Sequence, residues 1–260
     1  LLAPGQPSEG WQYSPESIRA SVEFAARDGR KIAGMVITSP DNPTGRTLPL
    51  EEQAMLARTA LEAGIPFVIF DWMYHWVTDG GPSDINIILR AFDKDQRERL
   101  MFLDGITKSL GASNIRAAHL VAGKAVVKYI VQQASHGVIP SYFAQAVTMA
   151  AYEIGFGEAA ASIIGPTAQS RRVLREALAA SDLPHIMGDG YYAFMDLSRY
   201  IEAGGFKDSE GIGGYLGEEY GVAVVPGAYF SPAGANWVRF SYALPPERTA
   251  AAFQRMLEGL

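Results

Sequence analysis

The chain has 260 residues, 22 Lys and Arg against 28 Asp and Glu, a formal net charge of −6 and 48% hydrophobic residues. That balance is globular, so wholesale disorder is excluded, and the length allows one large domain or two smaller ones of roughly 100–200 residues each. Mild acidity speaks against a basic nucleic-acid surface, and no run of about 18 apolar residues suggests a membrane span. The absence of cysteine excludes disulfides, thiolate metal sites and cysteine nucleophiles, and suits a cytoplasmic chain.

In chain order, Ser14-Pro15-Glu16 predicts a helix N-cap with proline at the first helical position. The helix runs to about Asp28, with Ile18, Val22 and Ala25/Ala26 on one stripe. Residues 31–39 read as a buried strand that Pro40-Asp41-Asn42-Pro43-Thr44-Gly45 cuts off. A helix over 50–63 follows, with Gly64 as its natural stop. Phe67 to Phe70 predicts a second strand ending at Asp71. A helix over 84–92, strands over 100–103 and 120–122, and a helix over 124–135 complete the pattern. Apolar runs alternating with amphipathic helices predict an α/β architecture: a mainly parallel sheet with helices on both faces.

The character changes near Tyr142. An alanine-rich helical stretch reaches Ser181, with expected interruptions at Gly155-Phe156-Gly157 and Gly165-Pro166. Strand candidates over 192–196, 222–225 and 238–242 follow, then a helix over 246–257. Gly204-Gly205 and Gly211 to Gly214 read as loop or cap material. Residues 1–160 are therefore expected to form part of a large domain, and residues 161–260 a smaller C-terminal α+β domain.

In an open α/β sheet, ligands sit beyond the carboxyl ends of the strands. Asn42 follows the first strand, Asp71 ends the second with Tyr74 three residues on, and Lys108 follows the third, with Arg116 eight residues later. A carboxylate directly after four apolar residues needs a cationic partner, such as the protonated ring nitrogen of a heterocycle. A lysine in a Gly/Ser/Thr loop suits attack on a carbonyl, and an arginine fork suits phosphate. Asn42 and Tyr74 suit a phenolic oxygen. Together the set matches pyridoxal 5′-phosphate. Singly, each has a plainer reading. Asn-Pro-Thr-Gly is a good turn, Asp71 a helix cap, Lys108 a solvated charge, and Arg116 and Arg239 ion-pair partners. His75, His119, His136 and His185 show no metal spacing, so no metal is expected; His75 reads as a packed or surface side chain.

The same motifs resemble the fold type I pyridoxal-phosphate-dependent aminotransferases of class I/II, the aspartate aminotransferase-like group. Asn42-Pro43-Thr44-Gly45, Asp71-Trp72-Met73-Tyr74, Thr107-Lys108 with Arg116, and Asn236-Trp237-Val238-Arg239-Phe240-Ser241 stand in the family's order. The segment from Glu218 to Gly227 is similar to the family's small domain. The resemblance implies that Lys108 bonds the cofactor's aldehyde and later shuttles the proton, and that Asp71 keeps the pyridine nitrogen protonated. It also implies that Asn42 and Tyr74 hold the ring hydroxyl, that Arg116 binds phosphate with Thr107, and that Arg239 pairs with the substrate carboxylate. The implied protein is a homodimer acting on an amino acid and a 2-oxo acid. A carbon–sulfur lyase or synthase on the same scaffold, and a non-catalytic ligand-sensing domain, are the alternatives.

Three departures stand out. Gly105 occupies a position where the family carries a phosphate-binding serine, and Ala117-Ala118 replace the residues usual after the arginine. Neither the family's phosphate loop nor its ring-stacking aromatic is found among the 41 residues before Asn42. The sequence is thus expected to match the C-terminal two-thirds of such an enzyme, and by itself to hold the cofactor weakly and lack activity.

Overall fold

The computed structural model describes residue 7, residues 10–134 and residues 141–260. The expected helix end at Ser135, like His136 and the first five residues, lies outside them.

Ser14 opens α1 (Pro15–Arg27) with a reciprocal cap. Its hydroxyl accepts the Ser17 N–H while the Ser17 side chain accepts the Ser14 N–H. Then β1 (Met35–Thr38), α2 (Leu50–Glu62), β2 (Val68–Asp71), α3 (Ile85–Arg90), α4 (Lys94–Arg97), β3 (Leu100–Gly105) and α5 (Ile106–Ser109) alternate as the apolar runs require. β1, β2 and β3 are parallel. The chain then turns back, and β4 (Ala118–Ala122) pairs antiparallel with β3 as the last strand of the order β1-β2-β3-β4. Ile37, Val68, Phe70, Leu100 and Phe102 share one core with Leu56, Ala57 and Ala60 of α2 and Ile88 of α3.

After β4 come α6 (Lys124–Ala134), α7 (Tyr142–Ile154), α8 (Phe156–Ala159) and α9 (Ala161–Ala179). A second, antiparallel sheet follows, built from β5 (His185–Met187), β6 (Tyr192–Asp196), β7 (Val225–Pro226) and β8 (Trp237–Ser241) in the order β5-β6-β8-β7. α10 (Ser198–Ala203) and α11 (Ser209–Tyr220) lie between β6 and β7, and α12 (Pro246–Gly259) closes the chain. Leu174, Leu178, Met195, Leu216, Val238, Phe253 and Met256 make its core.

Two glycine-based readings are corrected. Gly165-Pro166 does not interrupt the chain, because α9 runs through Pro166. The proline forfeits one backbone bond, but Thr167, Ser170, Arg171, Leu174 and Leu178 are buried beyond it and hold the helix. Gly211 to Gly214 are not loop but the interior of α11. Asp208 caps that helix through the Glu210 and Gly211 N–H groups, and Ile212 and Leu216 are buried along it. Packing and a cap outweigh the entropic cost of the glycines. β5 and α10 carry no strong periodicity and were not foreseen. The strand expected over 222–225 shrinks to Val225–Pro226.

The two sheets meet backbone to backbone. Gly45 has φ +71°, and a Cβ there would fall 1.9 Å from the Tyr192 carbonyl oxygen; one on Gly188 would fall 2.2 Å from the Gly45 carbonyl oxygen. A buried guanidinium braces the same junction. Arg171 on α9, 1% exposed, donates to the Val77 carbonyl at 2.9 Å, to the Asp189 carbonyl, and to Asp79 Oδ1 at 2.5 Å. Replacing it leaves buried acceptors unpaired. The Asp79 carboxylate is more than half exposed, so the loss falls on the carbonyls: Arg171→Met is expected to lower the unfolding free energy by about 1–3 kcal/mol, read as a lower urea midpoint at unchanged slope.

Candidate active site

The carboxyl ends of β1, β2 and β3, the start of β6 and the middle of β8 bring most of the expected residues together. Asn42 is half-buried in the loop after β1, where Asp41 holds the turn. The Asp41 carboxylate accepts the Thr44 hydroxyl at 2.6 Å and the Thr44 N–H at 3.2 Å. Burial raises the Asp41 carboxyl above its ordinary range, and those two Thr44 bonds pull it back. Asn42 Oδ1 accepts from Arg239 Nη1 at 2.6 Å.

Arg239, half-buried on β8, lies 4.2 Å from the Tyr192 ring centroid and 5.1 Å from that of Phe230, with its Nε buried and unbonded. Its guanidinium is fixed by aromatic faces and a neutral amide, and among the described residues it meets no carboxylate. Tyr74, 7% exposed, faces the same place, its hydroxyl 3.3 Å from that of Tyr192. Burial, then the neighbouring Tyr192 hydroxyl, raises the Tyr74 phenol well above its usual range, so it stays a neutral hydrogen-bonding group.

Asp71 ends β2. Its Oδ1 accepts the Met73 N–H at 3.2 Å, and among the described residues no cation pairs with it. Burial raises the carboxyl, and the charge of Asp104 adds to that. Lys108 lies on α5, half-buried, where its carbonyl accepts the Tyr191 hydroxyl at 2.7 Å. The Tyr191 phenol is itself pushed up to about 12, chiefly by burial. Thr107, Lys108, Tyr191, Tyr192, Thr167 and Ser241 line a cavity of about 700 Å³ that contains no carboxylate.

The two residues expected at the phosphate end are weakly tied down, and Arg116 lies outside the cavity lining. Thr107 makes only a long 3.5 Å contact with the Ala117 carbonyl. Arg116 is exposed and donates to the Ser113 carbonyl at 3.0 Å. The phosphate end is therefore the least furnished part of the site. Gly105 has a local cause: it pairs with Ala118 across β3 and β4, and a Cβ there would fall 2.8 Å from the Ala117 carbonyl oxygen.

Sequence reasoning missed Tyr192, which joins Tyr74 to Arg239. Its signal is a tyrosine pair opening a strand directly after Gly188-Asp189-Gly190. His75 is packed, as expected: it is 4% exposed and stacks on Trp72.

The family model for aminotransferase class I and II matches residues 3–256. The aspartate aminotransferase of Bacillus subtilis is 27% identical over 263 residues, covering 97% of this chain and 62% of that protein. The aromatic-amino-acid aminotransferase 2 of Thermococcus litoralis is 27% identical, covering 98% of this chain and 64% of that protein. The solved aspartate aminotransferase from Thermus thermophilus with maleate superposes with a TM-score of 0.78 at 27% identity, covering 98% of this chain and 62% of that one. This chain thus spans less than two thirds of the length of these relatives. No helix among the described residues is long and apolar enough to cross a membrane.

A buried carboxyl whose proton affinity is raised costs the folded state nothing while protonated. It costs stability once ionised, as pH rises from about 4, the unfolded value, through the folded one. In cofactor-free protein, Asp71→Asn should therefore melt at or above the wild-type temperature at neutral pH, with the difference vanishing toward acid. A variant that melts lower by the same margin at every pH would mean the carboxylate already has a stabilising partner.

Proposed function

Because the chain belongs to the aminotransferase class I and II family, we propose that it acts in an amino-acid aminotransferase using pyridoxal 5′-phosphate, between an amino acid and a 2-oxo acid. One observation carries the reading. Two half-buried groups of opposite charge, Asp71 and Arg239, flank the Tyr74–Tyr192 hydroxyl pair, and neither has an ionic partner among the described residues. A ligand presenting a protonated ring nitrogen to one and a carboxylate to the other would satisfy both.

The residues fit the cofactor at its ring end. Asp71 would hold the ring nitrogen protonated, and Asn42 and Tyr74 would hold the ring's hydroxyl oxygen. Bound there, the cofactor supplies an electron sink for the bonds at the amino acid's α-carbon. Lys108 Nζ would attach it and later carry the proton to and from the α-carbon. Arg239 would take the α-carboxylate with its planar fork; the Tyr192 and Phe230 rings already fix the guanidinium, so little freedom is lost on binding. At the phosphate end Thr107 and Arg116 are at hand among the described residues, and Arg116 has to turn away from Ser113 to reach it.

The cofactor part is assigned to residues 1–160 and the small domain to 161–260, with a second copy of the chain as partner. Exposed Tyr142, Phe143 and Met149 on α7 and Tyr129 and Val131 on α6 favour such a partner.

In the gene product carrying this chain, borohydride reduction with the cofactor is expected to leave a pyridoxyl label on Lys108, and Lys108→Ala to abolish amino-group transfer. Label on another lysine would refute the assignment. Arg239→Lys keeps the charge and loses the fork, so the amino-acid KM should rise about 10- to 100-fold. An unchanged KM would leave Arg239 as a structural group.

A further inference from the structure

None of these roles uses Asp104, a carboxylate 8% exposed and four residues before Lys108. Its Oδ2 accepts from His75 Nε2 at 3.1 Å and Trp76 Nε1 at 2.9 Å, and its Oδ1 accepts the Gly105 N–H at 2.6 Å. His75 Nδ1 accepts the Ser83 N–H at 2.9 Å, which puts the ring proton on Nε2 and makes the imidazole a neutral donor to Asp104. Three N–H donors converging on two oxygens is the bonding pattern of an ionised carboxylate. With His75 neutral, no cation pairs with that charge among the described residues.

The other titratable groups facing Asp104 come from three elements. His119 lies opposite it in the β3–β4 register, Tyr152 of α7 meets His119 Nδ1 at 2.8 Å, and Asp71 ends β2. The partners of Asp104 sit on the two turns that matter. His75 and Trp76 directly follow Tyr74, and Gly105 directly precedes the helix that carries Lys108.

We propose that Asp104 is a positioning residue of the cofactor site, its buried negative charge fixed between the Tyr74 turn and α5 so that it favours the cationic forms of the Lys108 nitrogen and of the ring nitrogen at Asp71. The inference rests on the cofactor reading above. A second anion held between these two turns adds to the charge of Asp71 in favouring those cationic forms. The influence of Asp104 already reaches Asp71, whose carboxyl it helps to raise.

The test uses the gene product loaded with pyridoxal 5′-phosphate at one neutral pH. The readouts are the ratio of the protonated to the unprotonated absorbance band of the lysine-linked cofactor, the cofactor dissociation constant, and the Tm. Asp104→Asn keeps the size and removes the charge. The ratio is expected to move toward the unprotonated band by about three- to tenfold, with weaker cofactor binding. Trp76→Phe removes one neutral donor and keeps the charge, so it should lower the Tm and leave the ratio in place. A wild-type ratio in Asp104→Asn, or the same displacement in both variants, overturns the proposal. Should Asp104→Asn not fold, Asp104→Glu decides. With the charge retained its ratio should stay within about twofold of wild type, and a larger movement overturns the proposal. Wild-type protein that takes up no cofactor overturns the cofactor reading itself, whereas a cofactor-bound protein indifferent to Asp104 overturns only this assignment.

Discussion

The contact between Gly45 and the backbone before β6 governs the rest of the site. Main chain touches main chain there, and a single Cβ on either glycine would force the two sheets apart. The bonds that join the sheets are measured from that contact, among them Arg239 to Asn42 at 2.6 Å, Tyr74 to Tyr192 at 3.3 Å, and the Arg171 brace to Val77 and Asp189. None of these bonds could set the spacing alone. A guanidinium–amide bond and a hydroxyl pair are adjustable at little cost, whereas two backbones in van der Waals contact are not. The loop is in turn held to shape by the Asp41–Thr44 bonds, which is why a buried carboxylate is tolerated beside Asn42.

Asp71 and Arg239 illustrate what this rigidity is for. Each is partly desolvated, and in an ordinary core each would be paired or replaced by something apolar. Here the scaffold keeps them unpaired, and the cost is met by the surrounding fold. Such unspent charge is the expected mark of a site that binds a ligand of complementary charge.

The parallel part of the fold was legible in the sequence because its strands are short apolar runs bounded by strong punctuation. Pro40 to Gly45, Gly64 and Asp71 each stop an element close to where the structure does. Residues whose chemistry is local were legible too: Asp71 ends a strand, and Lys108 and Asn42 stand within four residues of the end of one. Long-range partnership was not. Nothing near Tyr192 in the chain says that its ring will support Arg239 and its hydroxyl will meet Tyr74, because those contacts span 47 and 118 positions, and they exist only once the two sheets have docked. The glycines misled for the opposite reason. Gly165 and Gly211 to Gly214 weaken a helix locally, and the burial that overrules them comes from α12 and β8, far along the chain.

The phosphate end follows from the same economy of space. β3 runs parallel to its neighbour β2, and β4 must come back beside it, so the chain reverses between Lys108 and Ala118. The reversal takes Gly111 at φ +61° and Arg116 at φ +61°, a left-handed conformation that a non-glycine residue adopts only when the surroundings impose it. It also brings the returning strand so close to Gly105 that no side chain fits there. A serine hydroxyl at that position and this tight β3–β4 reversal are sterically exclusive. The missing donor is therefore a consequence of how the last strand joins the sheet, and it leaves the anion-binding role proposed here to Thr107 and Arg116.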